Sequence, residues 1–394
     1  MTLMLVVSTY KYFDSVSDLP EYVVAGHLLM EGRGSKLYDG QTVISERKML
    51  FPTLRDRPGL SVMSPPPAFP LFLPFAFLPV DMVKLLWSPI LAGAACVSIV
   101  LLRNSYNLSN RATAWLWAVT FFLAPLFEAF KLGQISTLLM MAITSSIFLF
   151  KKNRDFSAGA VLALFVLKPQ ELVTFMFFLI GAGRWRAISG FATALGALAI
   201  VSAIVVGLGP YADFFIFTRS LKALNNAMQP EITATVRGQL MRLNLNYDLV
   251  QAISLSLLLA AAVFSFWWGR RQKDKAGWLE SGLAVTLPLG LTTAMLCHFY
   301  DLILMVPAGI ALIKSSLTRV IPGFFNAIGM LMIVALMLPV AIPVHYRLVL
   351  GDALLNPYAL MMIATSIGLV FFAVRSLGRR ESGTATDASA QTFT

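Results

Sequence analysis

The chain has 394 residues, of which 57% are hydrophobic and only 13% charged, and its 31 Lys and Arg against 20 Asp and Glu give a formal net charge of +11. Soluble domains carry about 25% charged residues, so this composition excludes a soluble enzyme, a disordered chain and a nucleic-acid binder. The excess positive charge sits in short loops between apolar runs, where it reads as membrane topology.

The first ten residues, Met1–Tyr10, are apolar but only about half the length of a span. They lack a basic n-region and a small-residue cleavage site. The expectation is a truncated first transmembrane helix behind a start codon placed too late. Residues 11–64 form a polar loop with seven acids and seven bases. Within it, residues 17–31 read as a capped helix, with Ser17 or Asp18 as N-cap and Pro20 in the first turn. Residues 65–80 are short, apolar and proline-rich, and suit an interfacial or re-entrant segment.

Apolar runs long enough to be read as spans follow at 83–102, 112–127, 133–150, 187–209, 248–268, 279–297, 321–343 and 357–376. Residues 156–183 form one long run interrupted at Lys168-Pro169, and 300–313 is a short run after His298. Together these predict an all-α polytopic membrane protein with ten to twelve helical segments in one domain, residues 1–380. Residues 381–394 are polar and Ser/Thr/Ala-rich, and read as a disordered cytoplasmic tail.

Six basic loops orient the chain. They are Arg103…Arg111, Lys151…Arg154, Arg184-Trp185-Arg186, Arg270…Lys275, Lys314…Arg319 and Arg375…Arg380, and together they hold 16 of the 31 basic residues. By the positive-inside rule they are cytoplasmic. The loops 11–64 and 210–247 then lie on the extracytoplasmic side. Both ends of 156–183 are cytoplasmic by charge, so that run should be a hairpin with Lys168-Pro169-Gln170 at its far tip.

Five places carry polar chemistry. Asp18 can serve as a helix cap or as a base. Lys168 interrupts an apolar run, which at membrane depth marks an ion or substrate site, although pairing with Glu171 or snorkelling would also account for it. His298-Phe299-Tyr300-Asp301 can supply a histidine donor, with Asp301 favoured as N-cap of 301–313. Glu128 and Lys131 stand at ion-pair spacing, and Gln134 follows at a helix start. The loop 210–247 carries Arg219, Lys222, Arg237 and Arg242 against the topological bias, which suits an anionic ligand or anionic lipid headgroups. Cys96 and Cys297 lie far apart and have no disulfide or metal spacing. No P-loop, dinucleotide fingerprint, metal-ligand cluster or nucleophile elbow is present.

In series, these pieces resemble glycosyltransferase family 87, the polyprenyl-phosphate-mannose-dependent mannosyltransferases. The resemblance runs through Asp18…Tyr22…Ala25…Leu28-Leu29…Gly32…Leu37-Tyr38-Asp39, then Pro65-Pro66-Pro67-Ala68-Phe69 to Leu78-Pro79. It continues with Gly133-Gln134, Leu167-Lys168-Pro169-Gln170 and His298-Phe299-Tyr300-Asp301 leading to Pro307-Ala308. Ser64 stands where an aromatic residue usually precedes the prolines. The segment Glu231–Gln239 matches only loosely.

The resemblance implies a GT-C-like transmembrane bundle in the plasma membrane with its site on the extracytoplasmic face. It implies inverting transfer of a hexosyl group, mannosyl by family, from a polyprenyl-phosphate donor to a lipid or glycan hydroxyl. Asp18 sits at the position of the general base. Lys168, His298 and Arg237 would counter the donor phosphate, and Tyr22, Gln134, Gln170 and Tyr300 would hold sugar or acceptor hydroxyls. No metal and no cofactor are implied, because cationic side chains supply the countercharge. The expected partners are the donor, the acceptor and membrane lipids, with no nucleic acid. The competing reading is a transporter or lipid flippase with an intramembrane anion site at Lys168.

Overall fold

The computed structural model describes residues 18–52, 64–219, 233–315 and 354–390, with isolated positions at 317, 336, 337, 344 and 348. The helices are α1 (Leu19–Met30), α2 (Gly40–Leu50), α3 (Val80–Tyr106), α4 (Asn110–Phe122), α5 (Ala124–Leu132), α6 (Ser136–Lys151) and α7 (Asp155–Leu162). After them come α8 (Val173–Gly181), α9 (Trp185–Val206), α10 (Gly209–Arg219), α11 (Val236–Arg242), α12 (Tyr247–Gln272), α13 (Trp278–Thr293), α14 (Met305–Lys314) and α15 (Pro357–Ala390). Among the described residues there is no β-strand, only an isolated bridge between Leu123 and Met337. The protein is all-α.

Among the described residues, four helices are long and apolar enough to cross a membrane: Val80–Tyr106, Trp185–Val206, Tyr247–Gln272 and Pro357–Ser376. Several of the other runs read from the sequence take a different local form. The run 112–127 is not one rod. Pro125 starts a new helix after extended Leu123, so α4 and α5 are separate and short. Residues 133–150 yield the 16-residue α6, below span length. Residues 65–80 form a 3₁₀ segment, Pro66–Leu71, and a helical turn, Leu73–Ala76. The expected span 321–343 and the segment Met1–Tyr10 fall outside the described residues. The polar stretch read as a tail from residue 381 continues α15 as far as Ala390, since no proline interrupts it.

The run 156–183 does fold back on itself. Arg184 Nη1 lies 3.9 Å from Asp155 Oδ2, so its two ends meet. Between them, the 3₁₀ turns Ala163–Leu167 and Pro169–Glu171 flank Lys168. Small residues allow this close folding. A Cβ at Gly159 of α7 would overlap the Ala187 carbonyl oxygen of α9, and one at Gly190 would overlap the Phe156 carbonyl oxygen. Gly181 of α8 and Gly269 of α12 pack backbone to backbone in the same manner. Glycine contacts of this kind hold helices together where lipid removes the hydrophobic drive.

The bundle has two distinct ends. At one end, Lys151 pairs with Glu280 and lies 5.3 Å from the Tyr106 ring, and Arg184 stacks 4.0 Å from the Trp278 ring. This end gathers four of the basic loops. The 16 residues of α6 carry the chain about 24 Å to the other end, at 1.5 Å per residue. There Ser136, Lys168 and the segment after α13 come together.

Candidate functional site

Asp18 precedes α1 in the N-cap position, yet its side chain makes no cap hydrogen bond. Its backbone N–H donates to the Leu132 carbonyl at 2.8 Å, and its Oδ2 accepts from Gln134 Nε2. The carboxylate therefore turns away from its own helix and towards the α5–α6 connection. A local capping role does not account for that direction.

Gln134 is placed by its neighbour. Gly133 adopts φ +67°, a left-handed conformation that ends α5 and that other residues adopt only at a cost. Its carbonyl accepts from Trp87 Nε1 at 2.8 Å, which ties the turn to α3. Gln134 N–H closes on the Ala129 carbonyl at 2.7 Å. The side chain, 4% exposed, meets Asp18 rather than open space.

Two residues further on, Ser136 Oγ donates to Asp301 Oδ1 at 2.5 Å. Lys168 Nζ donates to the same oxygen at 2.5 Å and lies 4.0 Å from Glu171 Oε1. Asp301 Oδ2 accepts from the His298 backbone N–H at 3.0 Å. Asp301 is thus not the N-cap of a helix over 301–313. It lies inside the 3₁₀ turn Phe299–Leu304, at whose start His298 stands, and α14 begins only at Met305. The reason is that His298 takes the N-cap position, and Asp301, three residues on, closes a capping box onto the His298 N–H while its other oxygen holds the buried lysine. The Lys168 ammonium also lies 4.6 Å from the Tyr300 ring, which stacks 5.3 Å from His298. Glu171 is fully buried, and neither of its oxygens has a hydrogen-bond partner.

The segment leading to His298 is held from two sides. Arg237 Nη1 donates to the Met295 carbonyl at 3.3 Å, and Ala234 N–H donates to the Cys297 carbonyl at 2.8 Å. Gln170 Nε2 reaches the Leu296 carbonyl at 3.5 Å. Arg237 stands in α11, whose Thr235 cap accepts from Gly238 N–H at 3.0 Å. Tyr22 is buried on α1, stacked on Phe72 at 4.5 Å. Burial first, then the charges of Asp18, Glu21 and Asp301, push its phenol well above the ordinary tyrosine range, so it stays protonated.

All eight residues singled out from the sequence therefore belong to one region or to its immediate frame. Asp18 and Gln134 touch each other. Lys168, Tyr300 and His298 form a second group, and Arg237 and Gln170 brace the backbone beside it. Ser136 was missed, Asp301 was read only as a cap, and Glu171 only as a partner of Lys168, a pairing that does form at 4.0 Å. Asp301 was visible as an acid opening an apolar run, but a capping role hid it. Glu128 and Lys131 form the expected pair at 3.3 Å. Among the described residues, one group of metal-type donors lies together: His27, Glu31 and Glu46, within 4.8 Å. Arg33 Nη1 already bonds both of those carboxylates at 2.7 Å, and His27 Nδ1 bonds Glu46 at 2.7 Å.

The family model of glycosyltransferase family 87 matches residues 64–298, more than half of the chain. The match covers Gln134, Lys168, Gln170, Arg237 and His298, while Asp18, Tyr22, Tyr300 and Asp301 lie beyond its ends. No curated protein and no solved structure matches the chain.

Proposed function

Since the chain belongs to glycosyltransferase family 87, we propose that it moves a hexosyl group, mannosyl by family, from a polyprenyl-phosphate donor to a lipid or glycan hydroxyl. The transfer takes place at the extracytoplasmic face of the plasma membrane. The bundle is GT-C-like. The observation that carries this reading is the pairing of Asp18 with Gln134, 116 residues apart. It frees the carboxylate from capping α1 and directs it to the end of the bundle where Lys168 and His298 also stand.

The chemistry then divides between two sides. On one side, Asp18 accepts the proton of the acceptor hydroxyl as that oxygen attacks the anomeric carbon. On the other, the phosphate leaves with inversion and gains negative charge, which Lys168, His298 and Arg237 offset. Lys168 gives one N–H to Asp301 and also faces Glu171 and the Tyr300 ring. In this reading Gln134 holds the base, and Tyr22, Gln170 and Tyr300 bind sugar or acceptor hydroxyls. Cationic side chains supply the countercharge, so no metal is invoked.

A lipid donor also needs an apolar berth. Between α7 and α9 lies a shallow apolar groove, open to its surroundings and lined by Ala160, Ala163, Leu164, Ala194, Leu198 and Val201. Ala163 and Leu164 belong to the 3₁₀ turn that ends at Lys168. A polyprenyl chain lying in this groove would bring its phosphate towards that lysine.

The test is transfer of label from radiolabelled polyprenyl-phosphate mannose to lipid in membranes containing the protein. Wild type should label a lipid product, and Asp18→Asn should not while remaining folded. Full transfer by Asp18→Asn would remove Asp18 from the mechanism. The transporter reading has no support from the family assignment.

A further inference from the structure

One carboxylate joins both sides of this site. Asp301 is 1% exposed, and its two oxygens accept from three donors on three separate segments. Oδ1 takes Ser136 Oγ of α6 and Lys168 Nζ of the hairpin tip, each at 2.5 Å. Oδ2 takes the His298 N–H at 3.0 Å. Ser136 lies two residues after Gln134, which holds Asp18. The chain of contacts thus runs from the proposed base, through Gln134, Ser136 and Asp301, to the lysine and histidine assigned to the phosphate.

This geometry exceeds what stability requires. Buried ion pairs contribute little net stability compared with apolar packing of the same volume. A carboxylate shared by a hydroxyl, an ammonium and a backbone amide does something else: it sets three directions and three separations at once. Glu171 Oε1 lies 4.0 Å from the same ammonium. With three donors on its two oxygens and only 1% of its surface exposed, Asp301 is turned to its protein partners rather than to substrate.

We propose that Asp301 is a positioning residue that fixes the distance between the base side of the site and its phosphate side. The proposal rests on the glycosyl-transfer reading above. In-line displacement needs the acceptor oxygen, the anomeric carbon and the leaving phosphate oxygen on one axis. Asp18 governs one end of that axis and Lys168 and His298 the other. Asp301 bonds to Ser136, two residues from the Gln134 that holds Asp18, and to both Lys168 and the His298 backbone.

The decisive variant is Ser136→Ala. It deletes one hydroxyl, whose bonded partner is Asp301, and leaves the Lys168–Asp301 pair and the His298 contact in place. Initial rates are measured on purified protein in lipid nanodiscs, with radiolabelled polyprenyl-phosphate mannose as donor and total membrane lipid as acceptor. Loss of one such hydrogen bond should lower kcat about tenfold, with donor KM unchanged, the protein still folded and its melting temperature only modestly lower. Asp301→Asn should lower kcat further, and adding Ser136→Ala to it should cost nothing more, because the link is already broken.

A wild-type kcat in Ser136→Ala overturns the proposal. So do a change confined to KM and two effects that multiply independently. If Asp301→Asn does not fold, Ser136→Ala decides alone. The wild type in the same assay separates the two levels: if it transfers no label, the glycosyl-transfer reading falls. If it transfers label and Ser136→Ala keeps the wild-type kcat, only the positioning role falls.

Discussion

Replacing Gln134 tests how the base is held. Its side-chain amide donates to Asp18 Oδ2, and at 4% exposure no bulk water can take its place. A hydrogen bond to a charged group contributes about 1.5–3 kcal/mol. If that bond is needed to aim the carboxylate in the transition state, Gln134→Ala should lower kcat roughly ten- to a hundredfold. Gln134→Glu should be worse than Gln134→Ala, because it sets a second negative charge against Asp18 without a donor. Hexosyl transfer is assayed at saturating donor, with melting temperature followed in parallel to confirm folding. If Gln134→Ala is folded and turns over at the wild-type rate, Asp18 is not held by this amide during reaction.

Four other outcomes follow from the same structure. Gly133→Ala forces a side chain into left-handed backbone, φ +67°, at a cost of about 1–2 kcal/mol; it should lower the melting temperature and impair transfer as Gln134→Ala does, and normal transfer would show that the turn does not set Gln134. Lys168→Met leaves buried Asp301 and Glu171 without their cation, a loss of roughly 3–5 kcal/mol by denaturant titration; unchanged stability would mean that the pair is not closed in solution. Arg184→Ala removes the contact with the Trp278 ring at the opposite end, and should cost about 0.5–1 kcal/mol with no change in transfer rate. For pH, the Tyr22 phenol lies above its unfolded value, so its contribution is complete below about pH 10 and is lost as pH rises through the folded value. Melting temperature should therefore fall more steeply above pH 10 in wild type than in Tyr22→Phe, and parallel curves would contradict that.

The helix at 17–31 was legible because Pro20 and the apolar spacing act locally, and it forms as Leu19–Met30. The fold-back at 156–183 was legible from the basic residues at both of its ends, and Asp155 and Arg184 lie 3.9 Å apart. The break at Leu123 was harder to see, since apolar content continues through it and only Pro125 marks the new helix. Asp301 was only half legible. It does cap, closing a capping box with His298, but its partners Ser136 and Lys168 lie 165 and 133 residues away.

The sequence alone determined that the chain is apolar enough for a membrane and which short polar motifs interrupt the apolar runs. Those are consequences of solvent transfer and charge, and they depend on each segment by itself. Only the tertiary structure decided that Asp18 turns to Gln134 instead of capping α1, and that Asp301 gathers Ser136, Lys168 and His298. A buried carboxylate must find donors wherever packing brings them, and one-dimensional spacing carries no record of which helix end that will be.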